Sequence, residues 1–277
     1  MNYVREIELA ERVARRAGEL ILSLRGRVDR LTKSHAWTSG EAVSEADRAS
    51  QRLIVAAIRS EFPGDGIVGE ESDDGGGITA HIPNPDGRNW VIDPIDGTNN
   101  FLAGLGNFCV CVGLMERGHP VVGVVHDPSR DETYAAATGL GARLNDAPIR
   151  VSGTGMGEAS IVMLTSNLLD PQGRCPGWAI HLLSQTRYKL RILGSAALEA
   201  VSVAAGIADA AVTVNGKLWD MCAASAIVLE AGGVVCDLSG NDHYPFDLRG
   251  YAGAKTPFVC TTPSSRNELL ELIRRMP

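Results

Sequence analysis

The sequence predicts a mixed α/β protein, and three observations carry that reading. Residues 108–137 hold three apolar strands in succession, joined by turn residues, which reads as an antiparallel meander. From residue 160 onward, strand-like and helix-like segments alternate, the texture of an α/β lobe. The chain opens with a helix-periodic segment, and its 277 residues, 44% hydrophobic, allow one large domain or two closely packed lobes.

Val4, Ile7, Val13, Ala14, Ala17, Leu20, Ile21 and Leu24 recur at helical spacing, so an amphipathic helix is predicted from Tyr3 to Leu24. A polar loop follows from Gly26 to Ala42. A second helix is predicted from Ser44 to Phe62, stopped by Pro63-Gly64. Ile67-Val68 reads as a short strand, Asp73 to Arg88 with its Gly75-Gly76-Gly77 run as an exposed loop, and Asn89 to Ile92 as a buried strand. The meander comprises Phe108 to Met115, Val121 to His126 and Glu132 to Ala137. A Gly-, Ser- and Thr-rich stretch from Arg150 to Glu158 suggests a boundary between a lobe of residues 1–150 and one of 151–277. Beyond it, strands are expected at 160–165, 190–193, 210–214, 234–238 and 257–262. Helices are expected at 176–186, from Ser195, from Trp219-Asp220 to Glu230, and at 264–275.

Composition excludes several classes. Lys+Arg 26 against Asp+Glu 33 gives a net charge of −7, and no long basic run offers a nucleic-acid surface. The charged start lacks the basic-then-apolar order of a signal peptide, and no apolar run reaches the ~20 residues of a membrane span. The six cysteines form no CxxC pair, so structural zinc is not expected. Free buried thiols in a reducing cytoplasm are.

Trp90-Val91-Ile92-Asp93-Pro94-Ile95-Asp96-Gly97-Thr98-Asn99-Asn100-Phe101 is the most informative stretch. An apolar strand ends in two aspartates, where strand-end loops build sites. Hard carboxylate oxygens suit Mg²⁺ or Mn²⁺, and Gly97-Thr98 opens a predicted helix whose amides suit a phosphate. Glu70 and Glu71 follow a strand and, taken alone, read as a solvated acidic loop. Asp220 reads equally as a dipole-favoured first-turn residue, and Ser44-x-x-Asp47 as a capping box.

Taken together these motifs resemble the inositol monophosphatase family of metal-dependent phosphatases. The matching runs are Gly69-Glu70-Glu71-Ser72, Asp93-Pro94-Ile95-Asp96-Gly97-Thr98-Asn99-Asn100-Phe101, Gly194-Ser195-Ala196-Ala197, and Trp219-Asp220-Met221-Cys222-Ala223-Ala224 running to Glu230-Ala231-Gly232-Gly233. The resemblance implies a layered α-β-α-β-α sandwich, lithium-sensitive Mg²⁺-dependent hydrolysis of small phosphomonoesters, and a cytoplasmic homodimer. The apolar meander, richer than a sheet with one polar face needs, is read the same way, as a sign of pairing. Two or three Mg²⁺ ions are implied, with Mn²⁺ a substitute. Glu70, Asp93 and the Ile95 carbonyl would hold one ion, and Asp93, Asp96 and Asp220 a second. Gly97 and Thr98 would bind phosphate, while Glu70, Thr98 and Asp47 would orient the attacking water. Substrate contacts fall to Asp96, Ser195, Ala196, Thr213 and Asp220. Most metal ligands thus lie in the first lobe, and Asp220 with the substrate contacts largely in the second.

Two departures stand out. Thr38-Ser39-Gly40-Glu41-Ala42-Val43-Ser44 replaces the family's Lys- and Asp-bearing loop, with Lys33 the lysine nearby. Thr213 stands where inositol-specific members carry a hydroxyl-binding glutamate. Inositol monophosphate is the first substrate expected. Histidinol phosphate, fructose 1,6-bisphosphate and 3′-phosphoadenosine phosphates are alternatives, and a binding partner of the transcription machinery is a reading of another class.

Overall fold

Apolar residues on alternate positions of the central strands feed two different cores, which is how this chain builds its layers. The computed structural model describes residues 2–25, 31–32, 42–43, 45–72, 78–169 and 173–275. The first half comprises α1 (Val4–Leu24), β1 (Leu31–Thr32), β2 (Ala42–Val43), α2 (Glu45–Glu61), β3 (Gly66–Gly69), β4 (Thr79–His81), β5 (Arg88–Asp96), α3 (Thr98–Ala103), β6 (Cys109–Glu116), β7 (His119–Asp127), β8 (Glu132–Ala137), β9 (Gly141–Leu144) and β10 (Ala147–Pro148). The second comprises β11 (Ile161–Leu164), α4 (Gly177–Gln185), β12 (Lys189–Arg191), α5 (Ala196–Ala204), β13 (Ala210–Thr213), α6 (Leu218–Glu230), β14 (Val234–Cys236), β15 (Phe258–Thr261) and α7 (Arg266–Arg275).

An eight-stranded sheet has the order β10-β9-β8-β7-β6-β5-β3-β4, and a five-stranded sheet the order β12-β11-β13-β15-β14. The first is antiparallel apart from the β3–β5 pair, and the second is parallel only where β11 meets β12 and β13. Trp90, Ile92, Val110, Val112, Leu114, Val122 and Val124 pack on one face against α1 and α2. Val91, Cys109, Cys111 and Val125 turn to the other face, where α5, α6 and the second sheet's Met163, Ala211 and Phe258 meet them. Val162, Leu164, Ala210 and Val212 then point away to Trp178 and Leu182 of α4 and Leu269, Leu270 and Ile273 of α7. The layers run α-β-α-β-α, as the resemblance implies. No helix among the described residues is long and apolar enough to cross a membrane.

Three expectations change. The loop predicted from Asp73 to Arg88 contains the edge strand β4, too short and polar to show strand periodicity. The meander extends through β9 and β10, which hold two to four residues each. The apolar excess of the meander is consumed within the chain, because helices cover both faces of that sheet, so it carries no argument for pairing. Lys33, Ser44 and residues 38–41 lie outside the described residues.

Candidate active site

The site forms where β5 breaks its own regularity. Asp93 pairs with Cys111 and Asp96 with Cys109, so three steps along β5 span two along β6. In a regular strand, residues three apart face opposite sides. The extra residue of this bulge turns both aspartates to the same face. Pro94 is tolerated because a bulge releases the ladder donor that proline lacks. The Pro94 carbonyl accepts a bond from Ser50 Oγ of α2 at 3.1 Å, and Asp93 Oδ1 accepts from the Ile95 amide at 3.0 Å. Sequence reading placed the two aspartates beyond the strand; they are its last turn of pleat.

Neighbouring elements complete the cluster. Asp47, buried on α2 one helical turn before Ser50, accepts from Thr98 Oγ1 at 3.3 Å or yields that hydroxyl to the Ile95 carbonyl at 2.9 Å. Glu70 leaves β3 beside Asp93, its amide donating to the Ile92 carbonyl at 3.2 Å. Gly97 has φ +90, and a Cβ there would come within 2.8 Å of the Asn107 carbonyl, so only glycine makes this turn into α3. Asn100 then ties α3 to the next layer, donating to the Leu193 and Asn107 carbonyls at 2.8 Å each.

Asp220 arrives from the opposite side, on the first turn of α6. Its Oδ2 accepts from the Lys217 amide at 2.7 Å. It is therefore both the N3 partner of the helix start and part of the carboxylate cluster. The approach depends on two paired glycines. A Cβ on Gly123 would sit 2.1 Å from the Ala223 carbonyl oxygen, and one on Gly113 2.7 Å from Cys222 Sγ. Their bare backbones let α6 lie close on the sheet. Asp93, Asp96 and Asp220 end with carboxylate oxygens within 4.8 Å of one another.

Burial and mutual repulsion dominate the electrostatics. Glu70 is pushed well above the usual carboxylate range by desolvation and then by Asp220, Glu71 and Asp47. Asp93 is pushed up by desolvation and by Glu70, Asp96 and Asp220. Asp220 is raised to about 7 by desolvation and Asp96. Asp96 is also raised by desolvation, against the pull of its hydrogen bonds from Ser195, Ala197 and Ala196. Among the described residues four carboxyl groups converge with no buried cation between them, and hard oxygen donors in that density fit divalent metals such as Mg²⁺.

The cluster floors an open pocket lined by Glu70, Gly97, Thr98, Asn215, Lys217 and Trp219, among others. A smaller adjoining cavity reaches Asp96, Ser195, Ala196, Glu199, Thr213 and Asp220. Ser195 caps α5, accepting from the Leu198 amide, and donates its hydroxyl to Asp96 Oδ2 at 2.6 Å; the Ala197 amide donates to the same oxygen at 2.7 Å. The Ala196 amide donates to Asp96 Oδ1 at 3.3 Å. Ser195 and Ala196, expected as substrate contacts, thus line the cavity while holding Asp96. Thr213 closes β13 opposite Phe258 and is 2% exposed, and its hydroxyl has no hydrogen-bond partner among the described residues. The Lys217 ammonium lies 5.1 Å from the Trp219 ring, and Lys255 donates to Asn215 at 2.8 Å.

Sequence reasoning missed Glu199 and Cys109. Glu199 is buried on α5, accepts from the Leu193 and Gly194 amides at 2.8 and 3.1 Å, and is raised to about 8 by desolvation. Its signal was a lone acid inside an otherwise small and apolar helix. Cys109 Sγ lies 3.8 Å from Asp96 Oδ2. Its signal was the strand register, which only pairing reveals.

Comparison with known proteins places this geometry. The model of the inositol monophosphatase family matches residues 3–275. A Thermotoga maritima protein named fructose-1,6-bisphosphatase/inositol-1-monophosphatase is 38% identical over 240 residues, 87% of this chain and 88% of that protein. A Nus factor SuhB of Pasteurella multocida is 36% identical over 241 residues, 86% and 87% of the two chains. Among solved structures, a Thermotoga maritima IMPase superposes with a TM-score of 0.82 at 34% identity, covering 98% of each chain. An inositol monophosphatase from Anabaena superposes with a TM-score of 0.80 at 28% identity, covering 100% of this chain and 98% of that one.

Proposed function

The chain belongs to the inositol monophosphatase family and is a phosphomonoester hydrolase, and we propose that it acts on small polyol or sugar monophosphates, inositol monophosphate first among them. The observation that supports this best is the convergence of Asp93, Asp96 and Asp220 beneath a pocket that also holds Glu70 and Thr98. In this reading Glu70, Asp93 and the Ile95 carbonyl hold one Mg²⁺, and Asp93, Asp96 and Asp220 hold another. A third ion and Mn²⁺ in place of Mg²⁺ are compatible with the same oxygen donors. When bound, such ions neutralise phosphate charge and lower the pKa of a water. The chain's own groups do the rest. The Gly97 and Thr98 amides hold the phosphate at the start of α3, and Thr98 passes a proton from the attacking water toward Asp47, 3.3 Å away. Glu70 fixes that water from the other side. No covalent intermediate is needed, since phosphoryl transfer rests on positioning and charge neutralisation.

The leaving group faces Thr213, Asn215 and Asp220. A neutral threonine there gives weaker selection among hydroxyl patterns than a glutamate would. A phosphate-release screen over polyol, sugar, amino-alcohol and nucleotide phosphates tests the reading. Turnover concentrated on polyol and sugar monophosphates supports it, whereas preference for histidinol phosphate, fructose 1,6-bisphosphate or a 3′-phosphoadenosine phosphate replaces it.

A second reading, binding to the transcription machinery, is favoured by the relatives named Nus factor SuhB. Co-purification with RNA polymerase, run beside a phosphatase assay on the same preparation, separates the two. The same proposal includes a cytoplasmic, lithium-sensitive homodimer. Light scattering that returns only the 29.4 kDa of one chain would rule pairing out.

A further inference from the structure

Beside Asp96 lie two thiols that the hydrolytic reading leaves unused. Cys109 and Cys111 are two residues apart on β6 and so share a face. The register sets Cys109 across from Asp96 and Cys111 across from Asp93. The two sulfurs are 3.7 Å apart, Cys109 Sγ is 3.8 Å from Asp96 Oδ2, and it is 3.5 Å from Ser195 Oγ. One ligand atom from each of Asp96, Cys109 and Cys111 falls within 4.8 Å of the others, and all three residues are buried. Both thiols are free.

The sulfur–sulfur separation matches that of a coordination shell, and the Cys109–Asp96 separation is within a few tenths of an ångström of one. Two zinc–sulfur bonds of about 2.3 Å at a tetrahedral angle hold their sulfurs about 3.8 Å apart, and a zinc–oxygen bond of about 2.0 Å puts sulfur and oxygen about 3.5 Å apart. We propose that Cys109, Cys111 and Asp96 form a second, thiophilic cation site, taking Zn²⁺ or Cd²⁺, that shares Asp96 with the Mg²⁺ cluster. Soft thiolates select such ions, while the oxygen-only side of Asp96, with Asp93 and Asp220, suits hard ones. A water completes the shell. On binding, each thiol gives its proton to solvent, and the two sulfur lone pairs and one carboxylate oxygen bond the ion; nothing is oxidised. Of the three ligands, Asp96 lines the cavity beside Ser195, Ala196 and Thr213.

The site has a consequence for the other side of Asp96. A carboxylate drawn to a thiolate-bound ion is a weaker ligand for Mg²⁺, so occupancy of the two sites is negatively and reciprocally coupled. Binding itself stands apart from the phosphatase reading; only the effect on turnover rests on it.

Titration of reduced, chelator-treated protein with Cd²⁺ alone tests the site through the near-ultraviolet thiolate-to-cadmium charge-transfer band. We expect a saturable band at one ion per chain. In Cys111→Ser, which keeps the shape of the side chain but replaces the thiol with a smaller, more polar hydroxyl, affinity should fall by at least about 100-fold. Cys111→Ala serves as the second variant if the serine chain folds poorly. With Mg²⁺ supplied, either folded variant should turn over as the parent does and resist Cd²⁺ inhibition. A band of equal strength and affinity in the variants would assign it to other thiols and overturn the site, as would no band in the parent. Equal Cd²⁺ inhibition of parent and variant, with the band lost, would overturn the coupling.

Discussion

The floor and the rim of the pocket are built on different principles. The floor, made of Asp93, Asp96 and Asp47 with Glu70 and Asp220 at its edge, is largely buried and held by backbone devices: a bulge, a helix cap and two bare glycines. The rim, made of Asn215, Lys217 and Lys255 around the buried Thr213, is held by side-chain contacts that single substitutions can rewrite. The difference teaches where change is tolerated. A floor carboxylate that moves exposes its neighbours to uncompensated repulsion. In the proposed reading, a rim residue that changes alters only what the leaving group meets.

The largest effect should come from the floor. Asp93 lies between Glu70 and Asp96 in the field of the cluster, and it is proposed to serve both ions. Asp93→Asn should remove ~4 kcal/mol or more of transition-state stabilisation, about a thousandfold in kcat. Steady-state kinetics at saturating Mg²⁺ checks this, and a loss confined to KM would place Asp93 in the rim's category.

Gly123→Ala probes whether the floor depends on close approach. A methyl 2.1 Å from the Ala223 carbonyl must push α6 outward and carry Asp220 with it. Overpacking of this kind costs about 1–3 kcal/mol. Denaturant melts should show that loss together with weaker Mg²⁺ dependence. Destabilisation without any change in Mg²⁺ response would separate the glycine pair from the site.

Repulsion within the floor also sets a pH dependence. Asp220, raised to about 7, keeps a proton in the folded metal-free protein that the unfolded chain releases near pH 4. The folded state therefore binds more protons across that window, and stability of the metal-free protein falls as pH rises from about 4 to about 7. Mg²⁺ should restore more at about pH 8 than at about pH 5, with Tm moving about 2–4 °C per kcal/mol for a chain of this size. Thermal melts with and without Mg²⁺ at the two pH values read this directly; an equal shift at both would remove repulsion from the account.

The smallest effect belongs to the rim. Thr213→Glu supplies a charged acceptor worth ~1.5–3 kcal/mol per hydroxyl bond. It should raise kcat/KM for inositol 1-phosphate relative to glycerol 2-phosphate by roughly tenfold. Equal response of both substrates would leave Thr213 as a strand residue facing Phe258 and nothing more.

The same contrast explains how much was legible in the sequence. The long helices could be read from periodicity, because α1, α2 and α7 each bury one face, whereas the layers followed from the resemblance. The motif around Asp93 was legible because it stands in order with Gly69-Glu70-Glu71-Ser72, Gly194-Ser195-Ala196-Ala197 and Trp219-Asp220, not on its own. The bulge was not, since Asp93 and Asp96 look from sequence as though they diverge. Only the register with Cys109 and Cys111 turns them together. Glu199 was hidden because its partners are backbone amides five and six residues earlier. The edge strands β4 and β10 were hidden because two or three residues are too few to carry a period.

Phosphate release after exhaustive chelation, followed by return of Mg²⁺, tests the central claim most directly. The buried carboxylates are useful only when divalent cations compensate them, so activity should vanish with chelator and return with Mg²⁺. Full hydrolysis of the same phosphomonoester in metal-free buffer would contradict the account.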